Sequence, residues 1–280
     1  MAQCRLCPRR CGTRRLDGET GKCRTADKVI IYGYGPHFGE EAPLVGRGGS
    51  GTIFFTHCNL ACIYCQNYTI SQLGVGKPAE PREIAGMMLD LQDQGCHNIN
   101  LVSPTHVVPF ILEALLIAAE KGLTLPLVYN TGSYDVVETL RLLDGIVDIY
   151  MPDMKYSDAE TALQLSGVQD YPSVNRDAVR EMHRQVGDLT VNDDIAERGL
   201  LVRHLVLPDG LAGTEETVQF LAREISVSTY LNIMAQYHPV FHATTNASLS
   251  RRITVEEYST AVNLAHRYGL NRLDGGYFGS

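Results

Sequence analysis

Three cysteines fall within eight residues, Cys58, Cys62 and Cys65, in the run Phe54-Phe55-Thr56-His57-Cys58-Asn59-Leu60-Ala61-Cys62-Ile63-Tyr64-Cys65-Gln66-Asn67. One short loop can wrap three thiolates around one metal centre, and an odd number cannot all be consumed by internal disulfides. A structural zinc ion takes four closed ligands, whereas a four-iron cluster offers four corners. Three cysteines on such a cluster leave one iron for something that is not protein. Open coordination is what catalytic metal centres keep. The competing explanation is a zinc knuckle or a chance group of thiols.

A second group precedes it: Cys4, Cys7 and Cys11 in Cys4-Arg5-Leu6-Cys7-Pro8-Arg9-Arg10-Cys11, then Cys23 after a Gly-containing return. Four cysteines can close a site without help. Residues 1–28 are too few to hold a core, so a metal staple is what would order them as a small cysteine-rich module. Zinc and a second iron–sulfur cluster are both open, the latter because Cys-Pro pairs recur in ferredoxin-type runs. The module would act as a cap, an electron relay or a docking point. Its arginines (Arg5, Arg9, Arg10, Arg14, Arg15 and Arg24) favour an exposed surface.

The bulk composition fits a cytoplasmic enzyme. A chain of 280 residues, 44% hydrophobic, can bury a full core as one large domain with a small appendage. A formal charge of −8 argues against a nucleic-acid partner, which would call for a basic face. The start Met1-Ala2-Gln3-Cys4-Arg5 has no apolar signal core, and no stretch approaches the length of an apolar membrane span. Eight cysteines in such a chain read as metal ligands rather than disulfides, with Cys96 as a plain core thiol.

These groups need elements to position them. Strand-like runs at 52–56, 98–102, 125–129, 147–151, 200–207 and 230–235 alternate with helical ones at 81–94, 107–121, 134–143, 175–186, 214–225 and 254–268. The last starts at Thr254 with Glu257 three residues on, a capping-box pattern. Parallel neighbours need crossovers, so this alternation predicts an α/β fold with a parallel sheet. Its form would be a partial (β/α)6 barrel of the TIM type over residues 29–280, with a core at about 50–240.

In such folds ligands gather at the carboxyl ends of the strands. There lie the cysteine loop, Ser103-Pro104-Thr105-His106, Asn130-Thr131-Gly132, Asp153-Met154-Lys155, Arg203-His204 and Gln236-Tyr237-His238-Pro239. Together they are expected to form one polar cluster. His106 and His242 are candidate groups on the substrate side. His57 abuts Cys58 but cannot easily turn back to the same metal. No general acid or base is assignable.

The cysteine spacing, with an aromatic just before the third cysteine, resembles the signature of the radical S-adenosylmethionine (radical SAM) superfamily. Gly51-Thr52-Ile53-Phe54-Phe55 before Cys58, and Cys65-Gln66-Asn67 after it, are similar to the glycyl-radical-enzyme activases. The likeness is to a branch related to the pyruvate formate-lyase activating enzyme that also carries an amino-terminal cysteine block. The resemblance implies that Cys58, Cys62 and Cys65 hold a [4Fe-4S] cluster whose open iron binds S-adenosylmethionine. Tyr64 would meet the adenine through its backbone. Asp153 and Lys155 match an Asp-Leu-Lys motif at the ribose and methionyl end, Arg203 a strand arginine near the cofactor, and His238 a histidine of the last strand. The implied partners are a flavodoxin- or ferredoxin-type reductant and a glycyl radical enzyme or other protein substrate.

Two motifs depart from that pattern. Ser103-Pro104-Thr105 replaces a glycine-rich acidic motif that receives the cofactor's amino group, so hydroxyls and strand-end carbonyls must serve and the acid is missing. Tyr129-Asn130-Thr131-Gly132 lacks the leading carboxylate of an Asp-Thr-Asn-Gly motif, which puts a monovalent-cation site in doubt while leaving Asn130 as a cofactor contact. Arg272-Leu273-Asp274-Gly275-Gly276-Tyr277 is superficially like a glycyl-radical loop, but the chain is too short for such an enzyme and the stretch reads as a tail. Two alternatives to activation remain: radical modification of another peptide or a small molecule, and a non-catalytic electron-transfer or zinc-stabilised binding protein.

Overall fold

The computed structural model describes residues 3–274. The glycine-rich end of the tail, from Gly275 on, lies outside the described residues. Among the described residues, nine strands form one sheet: β1 Val29–His37, β2 Ser50–Phe55, β3 Lys77–Ala79, β4 Ile99–Val102, β5 Leu127–Thr131, β6 Ile149–Pro152, β7 Thr190–Asn192, β8 Ile195–Leu205 and β9 Tyr230–Met234. The order is β3-β1-β2-β4-β5-β6-β8-β7, with β9 on β8. Strands β2, β4, β5, β6, β8 and β9 run parallel. They are the six strands the alternating pattern predicts, wound as a partial barrel.

Nine helices accompany them among the described residues: α1 Ala42–Val45, α2 Tyr68–Ser71, α3 Pro81–Asp93, α4 Val108–Glu120, α5 Val137–Leu140, α6 Ala159–Ser166, α7 Tyr171–Val186, α8 Thr214–Phe220 and α9 Val255–Arg267. Local signals account for several boundaries. Pro81 opens α3, where Glu80 and Glu83 form a reciprocal capping box; Thr254 and Glu257 do the same for α9. Ile84, Met88 and Leu91 of α3 are fully buried against Ile53, Phe55, Ile99 and Leu101 of the sheet. Cys96 lies in this core, as expected of a plain thiol.

The helix expected at 134–143 is cut to α5 and a following 3-10 turn, Arg141–Leu143. Its first residues are taken by other bonds: Tyr134 donates its hydroxyl to Asp170, and Asp135 accepts from Tyr129 and Thr131. The first half of β8, not anticipated as strand, pairs with β7 in a hairpin. Asp193 and Asp194, at φ 47° and 66°, make its two-residue turn, the positive-φ geometry that matches strand twist.

Strand alternation sends Ile53, Leu101, Tyr150 and Val202 outward to the helices, and Val128, Ile149, Met151 and Leu201 into the barrel. The barrel's lower end is stopped by α1. Leu44, fully buried, packs on those four inward side chains, and its carbonyl accepts from the Asn98 amide at 2.8 Å. Glu41 reaches across to the Asn232 amide at 2.9 Å. Truncation at this stopper removes its packing on three parallel strands at once. Leu44→Ala should therefore cost about 3 kcal/mol of stability, read as a lowered urea midpoint with an unchanged slope. A loss under about 0.5 kcal/mol would contradict the stopper's role.

Candidate active site

Strand β2 delivers the chain to the cysteine loop, which has almost no regular structure and is held from both sides. Thr56 donates its N–H to Ile30 O and its hydroxyl to Val75 O, each at 2.8 Å. His57 then turns the backbone with a φ of 74°, uncommon for a residue with a Cβ. On the far side, the N–H groups of Ala61 and Ile63 donate to Ser166 O and Leu165 O at 3.2 and 2.9 Å. Those carbonyls close α6, where a helix has no partners of its own to offer. The loop is thus the cap of that helix.

All three sulfurs line one cleft of about 430 Å³ at the mouth of the barrel. Each has a hydrogen-bonding group at hand: Leu60 N–H at 3.4 Å from Cys58, the Ser166 hydroxyl at 3.0 Å from Cys62 and the Ser71 hydroxyl at 3.1 Å from Cys65. Hydrogen bonds to ligating sulfur tune a cluster's potential. Ser71 and Ser166 carry no motif signal, so sequence reasoning passed over them. Burial pushes the Cys58 thiol up to about 12, with Cys62 and Cys65 adding to it, and raises Cys62 despite the nearby Lys155. Such thiols keep their protons until a metal displaces them. Among the described residues, no three His, Cys, Asp or Glu side chains converge on a single metal ion. Three thiols spread around one cleft instead fit a larger cage that takes one sulfur per corner.

The same cleft carries a buried charge array. The Asp153 carboxylate sits between Lys155 Nζ at 2.6 Å and Arg203 Nε at 2.9 Å, and Asn130 Oδ1 accepts from Arg203 at 2.6 Å. Burial alone would raise Asp153, but Arg203 and Lys155 hold its carboxyl below the usual range. Burial would likewise lower Lys155 and Arg203, yet Asp153 keeps both cations firmly charged. Two fixed cations and an anion beside the sulfurs suit a ligand that carries both charges.

Ser103 lines this cleft with φ 58°, the left-handed conformation that a glycine would adopt freely, and its N–H donates to Asn130 O at 2.8 Å. An acid reaches the cleft from another segment. Glu40, in the loop between β1 and α1, lines the cleft 3.6 Å from Arg203. No strand-end motif points to it. The second absent carboxylate has no such substitute in the cleft: the nearby Asp135 accepts from Tyr129 and Thr131 and does not line it.

Tyr64 is buried in the cleft wall, where its hydroxyl accepts from Tyr156 at 2.6 Å. Tyr156 in turn meets Ser166, the partner of Cys62. Ser103, Asn130, Asp153, Lys155, Arg203 and Tyr64 are therefore brought together with the cysteines. His238 is not: it lies outside the lining, with Nδ1 3.4 Å from the Gln66 amide. His106 is buried behind the loop, its Nε2 3.0 Å from Thr56 O, and His242 is exposed against Phe241; neither lines the cleft. The expectation that these two face substrate is corrected.

The amino-terminal cysteines also gather. Tight turns close Arg10 N–H on Cys7 O and Arg24 N–H on Gly21 O, each at 3.0 Å. Cys4, Cys7 and Cys23 are buried and Cys11 exposed. Burial pushes the Cys7 thiol up to about 11, with Cys23 and Cys4 close enough to add to it. The segment is docked on the cysteine loop, where Arg9 Nε donates to Asn59 O at 2.6 Å, and on α5, where Thr139 donates to Leu6 O at 2.9 Å. One of its arginines breaks the expected pattern of exposure: Arg15 is only 1% exposed.

Residues 52–195 match the family model described as the Radical SAM superfamily. The uncharacterized protein MJ0674 of Methanocaldococcus jannaschii is 33% identical over 278 residues, covering 96% of this chain and 75% of that protein. Among solved structures, a radical SAM methyltransferase from Sphaerobacter thermophilus aligns with a TM-score of 0.54 at 14% identity, over 81% of this chain and 67% of that one. SuiB of Streptococcus suis, bound to S-adenosylmethionine, aligns with 0.55 at 12% identity, over 79% of this chain and 48% of that one. These structures share the fold. No helix among the described residues is long and apolar enough to cross a membrane. The chain, with its three-cysteine loop at the mouth of a six-stranded parallel barrel, belongs to the radical SAM superfamily.

Proposed function

We propose that this protein is a radical SAM enzyme in which Cys58, Cys62 and Cys65 hold a [4Fe-4S] cluster and the cleft beside them binds S-adenosylmethionine. With one electron from a flavodoxin- or ferredoxin-type protein, the bound pair would supply a 5′-deoxyadenosyl radical, able to take a hydrogen atom from a substrate, and methionine. The observation that carries this reading is the placement of three thiols and the Lys155–Asp153–Arg203 array in one cleft. Lys155 and Arg203 offer charge to a carboxylate, while Glu40 and Asp153 offer it to an ammonium group. Ser166, Ser71 and the Leu60 N–H stabilise thiolate charge on the cluster's ligands. The polypeptide thus binds, orients and tunes; no side chain needs to move a proton.

Activation of a glycyl radical enzyme, with a backbone glycine as hydrogen donor, is the specific role we favour. It rests on the likeness of residues 51–67 to the activases. Modification of another peptide or a small molecule is the rival, and an electron-transfer or zinc-stabilised binding protein without turnover is the alternative outside enzymes.

The anaerobically reconstituted, reduced protein should release 5′-deoxyadenosine, and deuterated candidate donors should pass label into it. A fully loaded, reduced cluster that yields no nucleoside would leave the binding-protein reading in its place. Cys62→Ala should abolish both the brown chromophore and turnover, and retained turnover would exclude these ligands. Asp153→Asn should keep its iron per chain but bind S-adenosylmethionine about tenfold more weakly by calorimetry, the loss expected when one charge-assisted contact of about 1.5 kcal/mol is removed. Unchanged affinity would take the charge array out of the cofactor site.

A further inference from the structure

Arg15 is a buried guanidinium without a counter-ion. Its Nε donates to Ala26 O at 3.0 Å and one terminal nitrogen to His106 O at 2.8 Å; the same nitrogen lies 3.9 Å from Cys4 Sγ. The other terminal nitrogen is buried and has no partner. Among the described residues no carboxylate pairs with Arg15, although the chain carries 32 Asp and Glu against 24 Lys and Arg. A cation taken out of water without an opposite charge is strongly disfavoured. The two half-buried cations of the cleft, Lys155 and Arg203, by contrast share a carboxylate.

Beyond those two carbonyls, Arg15 faces a thiol. Cys4 is that neighbour, Gly12 beside Cys11 donates its N–H to Cys4 O at 3.0 Å, and Cys7 lies close to Cys4 and Cys23. As thiols they carry no charge. As four thiolates around a metal core of charge +2, they carry a net negative charge, whether the core is a zinc ion or an iron–sulfur cluster. We propose that Cys4, Cys7, Cys11 and Cys23 form a tetrathiolate metal centre and that Arg15 is its built-in counter-ion. Loading exchanges four thiol protons for the metal core, with no change of oxidation state. Among the described residues no three of these thiols yet converge as on a single ion, so loading also draws them together, Cys11 most of all, which is exposed and sits against Gly21, where a Cβ would lie 2.7 Å from its sulfur. The unpaired cation then gains the charge it lacks. This centre shares no ligand with the radical cluster, so its failure and that of the proposed chemistry separate cleanly.

The test uses the full chain carrying Cys58→Ala, Cys62→Ala and Cys65→Ala, purified without oxygen, so that any tightly held metal belongs to the amino-terminal site. Elemental and sulfide analysis should find either one zinc per chain or about four irons with matching sulfide. A chain free of metal after supplementation with both would overturn the proposal. Arg15→Met, placed in the same background, should release metal to a chelator at least tenfold faster, and Arg15→Lys should restore most of the difference. The decisive contrast is thermal unfolding. Arg15→Met should lower the midpoint of the loaded protein while leaving that of the chelated protein unchanged or raised, since it removes an uncompensated buried charge. An arginine that serves only packing would lower both midpoints alike, and that result would refute the counter-ion role.

Discussion

The structure depends on holding an irregular loop still. Three sulfurs proposed to share one cluster must keep their spacing although the loop between Cys58 and Cys65 is neither strand nor helix for most of its length. The barrel does this by treating the loop as missing pieces of its neighbours. Loop N–H groups complete the carboxyl end of α6, and the Ser166 hydroxyl from that helix end reaches the Cys62 sulfur. The same contact thus fixes the backbone and sets the polarity around a ligand. Tyr156 and Tyr64 extend it into the cleft wall.

Charge is placed with equal economy. Asp153 stands at the bridge where β6 meets β8, so that Arg203 on the neighbouring strand and Lys155 two residues on share its carboxylate. Such a triad is costly to bury and sensitive to the removal of any member. It makes sense where a ligand of mixed charge is to be received, because the alignment is complete before the ligand arrives. Arg15 differs in having the burial without the carboxylate, and that contrast singles out the amino-terminal thiols as its counter-charge.

Much of this was legible in the sequence because it rests on local periodicity. The six parallel strands each carry a short apolar run, and α3 and α9 carry capping boxes, so neither needs distant information. Residues at strand ends follow from the topology, which is why Ser103, Asn130, Asp153, Lys155 and Arg203 converge with the cysteines. What escaped depends on contacts between segments far apart in the chain. Strands β3 and β7 are three-residue strands at the ends of the sheet with mostly exposed residues, and β1, paired between β3 and β2, interrupts its apolar start with Gly33, Gly35 and Pro36. The α1 stopper is four residues long and is defined by Asn98 and Asn232 rather than by its own propensity. Glu40 belongs to that crossing segment, so an acid of the cleft lies in a loop with no motif at all. The misplacement of His106 and His242 has a related cause. A histidine beside a strand end can turn toward the barrel mouth or behind it, and sequence does not record which way.

The central claim is that the cluster's fourth iron is left to the cofactor. Electron–nuclear double resonance on the reduced, cluster-loaded protein, with S-adenosylmethionine isotopically labelled at its amino nitrogen and carboxylate oxygens, tests it directly. Hyperfine coupling from both labels to the cluster is the predicted result. No coupling from either label, with a side-chain nitrogen, oxygen or sulfur coordinated at that iron instead, would contradict the account.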